Sequence, residues 1–189
     1  MADGSRFNVL TICGSLRKGS FNRQLMNTLP ALAPPEMKLT EAPPFSGIPI
    51  YNFDIQNEQG FPAEVNTLAD AIRAADGLII VSPEYNWSIP GGLKNAIDWM
   101  SRMKDQPFAG KPVALQSAAG GLLGGSRMQY HLRQSLTSID VFLFGRPEVL
   151  ITFAAQKFDE AGNLKDDTAR DLIKQQLADF AKFIVRVRD

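Results

Sequence analysis

Short apolar runs alternate with amphipathic stretches along the whole chain. Phe7 to Cys13 is an apolar run that stops at Gly14, the pattern of a buried strand feeding a loop. From Asn22 to Leu32, Leu25, Leu29 and Leu32 recur at spacings of four and three, which predicts an amphipathic helix. Met37 to Ala42 reads as a second strand. Pro43 to Phe61, broken repeatedly by Pro and Gly, reads as a long loop. A helix over Pro62 to Ala75 turns Val65, Leu68, Ala69 and Ile72 inward. It leads straight into Gly77 to Val81, whose unbroken β-branched run suits a parallel strand covered on both faces.

A helix from Pro90 to Arg102, a strand at Pro112 to Gln116 and a glycine-rich stretch from Ala118 to Gly125 follow. Another helix runs to Leu136, a last strand covers Val149 to Phe153, and a closing helix spans Thr168 to Val187. Strands alternating with helices predict right-handed crossovers and an α/β doubly wound, five-stranded parallel sheet with helices on both faces. Ligands of such sheets bind beyond the carboxyl ends of the strands, so the loops after the strands carry the functional question.

Composition narrows the answer. The 189 residues suffice for one sizeable domain, taken as 1–189. Twenty basic and twenty acidic side chains cancel, which gives no electrostatic case for nucleic acid or an anionic membrane. Cys13 and His131 are the only residues of their kinds, so no disulfide or multi-cysteine metal site is expected, and no metal. Met1 to Arg6 lacks an apolar signal core and no run approaches a membrane span. The expected location is the cytoplasm.

Three loops stand out. In Gly14-Ser15-Leu16-Arg17-Lys18-Gly19-Ser20-Phe21-Asn22, glycines permit tight turns and amides near a helix start make an anion site. Ser15, Ser20 and Asn22 add neutral donors and Arg17 a charged one, while Ser20 or Asn22 could equally be an ordinary helix cap. The spacing matches neither a Walker A motif nor G-x-G-x-x-G, which favours a mononucleotide phosphate over a dinucleotide here. The second loop, Ser82 to Pro90, sets Tyr85, Asn86 and Trp87 after a central strand. These could be flat walls for a heteroaromatic ring, or packing residues. Trp99, on the following helix, reads as core. The third, Ser117 to Gly125, holds glycines that let backbone approach a ligand closely.

Together G-S-L-R-K-G-S-F-N (14–22), P-E-Y-N (83–86), S-I-P-G-G-L-K-N-A-I-D-W (88–99) and G-G-S-R-M-Q-Y-H-L-R-Q (124–134) resemble the NADPH-dependent FMN reductase family of the flavodoxin-like superfamily, its bacterial quinone and chromate reductases above all. The resemblance implies tightly bound FMN, with its phosphate touched by Ser15, Arg17, Ser20, Phe21 and Asn22. Pro83, Glu84, Tyr85, Asn86 and Trp87 would border the ring, and Ser117, Gly120 and Gly121 would close the other edge. It further implies ping-pong transfer of hydride from NADPH or NADH to quinones or other small acceptors such as chromate, azo or nitro compounds. It implies a homodimer or homotetramer, with Arg127, Tyr130 and Glu148 at the interface. Trp87, where relatives commonly carry Tyr, and Ala118-Ala119-Gly120 depart from the pattern and bear on acceptor choice rather than on FMN. Two other classes compete: a flavodoxin-like electron carrier without its own NAD(P)H oxidation, and a phosphate-binding regulatory or hydrolytic domain without flavin. Cys13 reads as a small core residue, and His131 as structural or at an interface.

Overall fold

In the computed structural model, which describes residues 7–188, two hydrophobic cores lie on opposite faces of one sheet. The expectation about Met1 to Arg6 lies outside the described residues. The strands are β1 (Phe7–Cys13), β2 (Met37–Glu41), β3 (Gly77–Val81), β4 (Pro112–Ala118), β5 (Phe142–Leu143) and β6 (Val149–Ile151). The helices are α1 (Phe21–Thr28), α2 (Phe53–Gln59), α3 (Ala63–Ala74), α4 (Gly91–Met100), α5 (Ser126–Thr137), α6 (Ala154–Lys157) and α7 (Asp167–Arg188).

All pairings are parallel, in the order β2-β1-β3-β4-β5, with β6 also against β4. β5 pairs with Pro112 and Val113 and β6 with Gln116 to Ala118. Both therefore occupy the same edge position, one after the other along β4. The expected α/β architecture is present, with the fifth strand position split in two. The pattern at Phe142-Leu143 is too short to register as a strand, and Gly145 and Pro147 interrupt the edge between the halves.

Side-chain alternation places the cores. In β3, Leu78 and Ile80 face one core while Ile79 and Val81 face the other, and every residue of the strand is buried. Cys13, Leu25, Ile173, Phe180 and Ile184 fill the α1/α7 side; Leu68, Ile72, Trp99, Leu115 and Leu132 fill the α3/α4/α5 side. Burying each such aliphatic or aromatic side chain contributes about 1.5–3 kcal/mol. Trp99 is core, as expected, and its indole N–H donates to the Pro49 carbonyl at 2.7 Å.

Several boundaries differ from the pattern-based reading. Pro43 to Phe61 is not all loop: Asn52 caps α2 by accepting from the Asp54 amide at 2.8 Å, and Gly60, at φ 79°, ends it. α2 has no fully buried residue, so it lacks the apolar periodicity that reveals a helix. Pro30 turns the end of the first helix into a 3-10 turn over Leu29–Ala31. β4 continues to Ala118, and β6 stops at Ile151. Phe153, at φ 48°, starts α6.

Gly14 follows directly on β1 and packs tightly against the end of β3. Its amide donates to the Val81 carbonyl at 2.9 Å, and a Cβ there would stand 2.3 Å from Ser82 Oγ and 2.7 Å from Ser82 Cβ. Gly14→Ala is expected to cost about 1–3 kcal/mol through overpacking, read as a lowered urea midpoint. An unchanged midpoint would show that Ser82 moves aside freely.

Candidate functional site

The chain runs from β1 outward to β2 and then returns to β3 on the other flank of β1, so the switch point lies between β1 and β3. Their ends are in register, with Cys13 opposite Val81. The loops after β1, β3 and β4 therefore emerge side by side.

In the first loop the hydroxyl of Ser20 caps α1 by accepting from the Asn22 amide at 3.2 Å, and Ser15 Oγ accepts from the Arg17 amide at 3.4 Å. Ser15, Ser20 and Asn22 are buried, while Arg17 and Lys18 are exposed. Among the described residues, the amides of Leu16, Lys18, Gly19 and Phe21 find no acceptor. Unpartnered N–H groups at the amino end of α1, beside two buried hydroxyls and the Arg17 guanidinium, form a donor set for an anion. Phe21 is turned to the core, where it stacks on Phe158 at 5.9 Å.

Asn22 does something the sequence did not suggest. Its side-chain amide donates to the Ala118 carbonyl at 2.8 Å and accepts from the Ala118 amide at 2.9 Å. The group is thereby spent on the end of β4 and joins the first loop to the third.

In the second loop, Tyr85 and Ser88 exchange backbone hydrogen bonds at 3.0 and 2.9 Å, closing a two-residue hairpin over Asn86 (φ 48°) and Trp87 (φ 66°). Asn tolerates this left-handed backbone; Trp at such a φ is strained and persists because its surroundings hold it. The holder is Arg127, whose guanidinium lies 4.0 Å from the centroid of the Trp87 ring. Arg127 also pairs with Glu84 at 3.4 Å, and the other Glu84 oxygen accepts from the Met128 amide at 3.2 Å, capping α5. His131 Nδ1 lies 3.0 Å from Ser88 Oγ. The Glu84 carboxylate thus anchors the loop to α5. Tyr85 and Trp87 remain 49% and 65% exposed, and so do not serve as packing residues.

The third loop is held from beneath. Ser117 donates to the Gly124 carbonyl at 2.6 Å and accepts from Gln129 at 2.9 Å, so its hydroxyl faces inward. Gly125, at φ 89°, has Ser117 Cβ only 2.8 Å from where its own Cβ would stand. The sites of a Cβ on Gly120 and Gly121 face open space. Between this loop, Glu84 and Arg127 lies a cavity of about 310 Å³. Gln129, fully buried and also bonded to the Val149 carbonyl at 3.0 Å, was missed by pattern reading: on a helix face a polar residue carries no sign that it is buried.

Tyr130 lies 3.4 Å from Glu148, and Arg133 lies 3.8 Å from it. Cys13 is buried with its thiol 3.6 Å from the Ser15 carbonyl, and burial pushes its pKa up, which keeps it protonated and inert. Among the described residues no cluster of His, Cys, Asp or Glu could hold a metal ion, and no helix is long and apolar enough to cross a membrane.

A parallel sheet with an anion cradle at its switch point and a planar wall beside it defines the class of mononucleotide-binding α/β proteins. The family model for NADPH-dependent FMN reductase matches residues 7–156. The chain is 49% identical over 184 residues to a quinone reductase of Escherichia coli, covering 97% of this chain and 98% of that protein. It is 48% identical over 180 residues to an NAD(P)H-dependent FMN reductase of Pseudomonas aeruginosa, at 95% and 96% coverage. The solved structure of FerB, a flavoenzyme NAD(P)H:(acceptor) oxidoreductase from Paracoccus denitrificans, superposes with a TM-score of 0.85 at 30% identity, covering 95% of this chain and 98% of that one. The chain belongs to the NADPH-dependent FMN reductase family.

Two outcomes follow from the geometry. Asn22→Ala leaves the buried amide and carbonyl of Ala118 unpaired, at about 1–3 kcal/mol for each group, and urea unfolding is expected to show a loss of about 2–6 kcal/mol. Iodoacetamide at neutral pH should leave Cys13 unmodified in the folded protein and label it after guanidinium unfolding, as read by intact mass. Rapid labelling of the folded protein would contradict the burial.

Proposed function

We propose that the chain, as a single domain over 1–189, binds FMN and acts as an NAD(P)H-dependent oxidoreductase that reduces quinones and related small acceptors. The observation that carries this reading is the set of unpartnered amides between Leu16 and Phe21, backed by Ser15, Ser20 and Arg17, next to the exposed Tyr85–Trp87 hairpin. The donors suit a phosphate monoester, and the hairpin and the open glycine edge suit a flat ring. In this reading Ser15, Arg17, Ser20 and the backbone of Phe21 hold the phosphate, while Asn22, its amide spent on Ser20 and its side chain on Ala118, positions the loop. Pro83, Glu84, Tyr85, Asn86 and Trp87 border the ring on one side, and Gly120 and Gly121 border it on the other. Ser117 contributes by fixing the loop that bears those glycines.

When bound, FMN supplies the redox chemistry by taking hydride from NAD(P)H and passing two electrons to the acceptor. The protein's part is to bind and orient. Asn22, Glu84 and Ser117 lock three loops to one another and to α5, which fixes the walls. The space beside the exposed Tyr85 and Trp87 would admit nicotinamide and acceptor in turn, which would give ping-pong kinetics. Exposed apolar side chains around the mouth, Leu122 and Tyr130 among them, support burial of this rim in a homodimer or homotetramer. Arg127, Tyr130 and Glu148 would lie at or near that interface. We place the protein in the cytoplasm.

Stopped-flow mixing of the flavin-loaded protein with NADPH or NADH tests the activity: prompt bleaching of the flavin band is expected, and its absence would leave an electron carrier. The balanced charge of the chain, twenty basic against twenty acidic residues, already weighs against a carrier that docks by charge. Arg17→Ala is expected to weaken FMN retention about tenfold or more, since a hydrogen bond to a charged group contributes about 1.5–3 kcal/mol. The thermal midpoint of the apoprotein should stay unchanged. Equal FMN affinity in the variant would remove Arg17 from the phosphate site.

A further inference from the structure

A larger cavity of about 440 Å³ adjoins the phosphate loop, lined by Ser15, Leu16 and Arg17 of that loop and extending past them to the residues that follow β2. Its lining also carries Lys18, Arg23, Glu41, Pro43, Pro44 and Phe45. A Cβ on Gly92, in the first turn of α4, would stand 3.5 Å from Leu16 and 3.6 Å from Phe45. Leu16 and Phe45 of its lining thus stand close to the first turn of α4.

Its charge is one-sided. Arg23 is paired with Glu41. Arg17 folds back over its own loop, its Nη1 3.2 Å from the position of a Gly19 Cβ. Among the described residues Lys18 enters no ion pair, so beyond Arg17, which the FMN reading gives to the flavin phosphate, the lining keeps one uncompensated positive charge. Two prolines and a phenylalanine in the same lining as an unpaired ammonium group suit a flat base that carries a phosphate monoester.

The geometry points to this cavity as the seat of the adenosine 2′-phosphate of NADPH, with Lys18 selecting NADPH over NADH and Glu41 opposing that selection. The inference rests on the reading that FMN occupies the first loop and nicotinamide the open ring face. Lys18 meets the phosphate as a point charge. Glu41 repels it and at the same time holds the Arg23 guanidinium away from it.

The two side chains therefore have opposite expected signs. In steady-state assays with one fixed quinone, Lys18→Ala should lower the NADPH-to-NADH ratio of kcat/KM about tenfold, the scale of one charge-assisted contact. Lys18→Arg should restore most of the ratio, and Glu41→Gln should raise it several-fold. Calorimetric titration of the FMN-loaded protein with adenosine 2′,5′-bisphosphate, against adenosine 5′-monophosphate, gives a readout independent of turnover. Tighter binding of the bisphosphate is expected, weakened by Lys18→Ala and strengthened by Glu41→Gln. Equal binding of the two nucleotides, an unmoved ratio in Lys18→Ala, or a fall in Glu41→Gln would each overturn the assignment. Visible absorbance separates the two levels. Protein that retains FMN while the ratio stays fixed sinks this inference alone, whereas protein that never takes up FMN sinks the reading beneath it.

Discussion

One side-chain amide holds the site together. Asn22 bonds both ways to the backbone of Ala118, across 96 residues of chain, and so fixes the first turn of α1 against the end of β4. Both partners are buried, and neither polar group has water to fall back on. The sheet aligns the strand ends, but strand ends alone leave loops free to splay. The clamp sets the distance between the amide cradle and the glycine-rich edge.

The same economy governs the other loops. The Glu84 carboxylate satisfies an otherwise orphaned amide at the start of α5 and pairs with Arg127, which lies over Trp87. The hydroxyl of Ser117 bridges Gly124 and Gln129. Polar residues near the candidate site thus divide into those whose side chains stay exposed, such as Arg17, and those that fix the backbone. Strain at Asn86 and Trp87 is tolerated because the hairpin is pinned at Ser88, at Glu84 and on the indole face.

Much of this was legible in the sequence. Gly77 to Val81 and Phe7 to Cys13 announce buried parallel strands through unbroken apolar runs, and the long stripe of α7 announces a helix. The loops after those strands carry the unusual residues of the candidate site. What stayed hidden has physical causes. α2 is capped and acidic at its start yet buries no residue fully, so no apolar stripe betrays it. β5 is two residues long and shares its edge position with β6. The inward commitment of Asn22, Ser117 and Glu84 depends on partners 96, 7 and 44 residues away, which one-dimensional spacing does not encode. A buried glutamine such as Gln129 looks like any exposed one.

The central claim is that backbone amides at the β1–α1 turn grip a phosphate monoester. Titrating apoprotein with FMN and with riboflavin, which differ by that phosphate alone, tests it most directly. The account predicts micromolar or tighter uptake of FMN with riboflavin bound at least a hundredfold more weakly, since two or more charge-assisted hydrogen bonds together exceed about 2.8 kcal/mol. Equal affinity for the two flavins, or no uptake of either by folded protein, would contradict it.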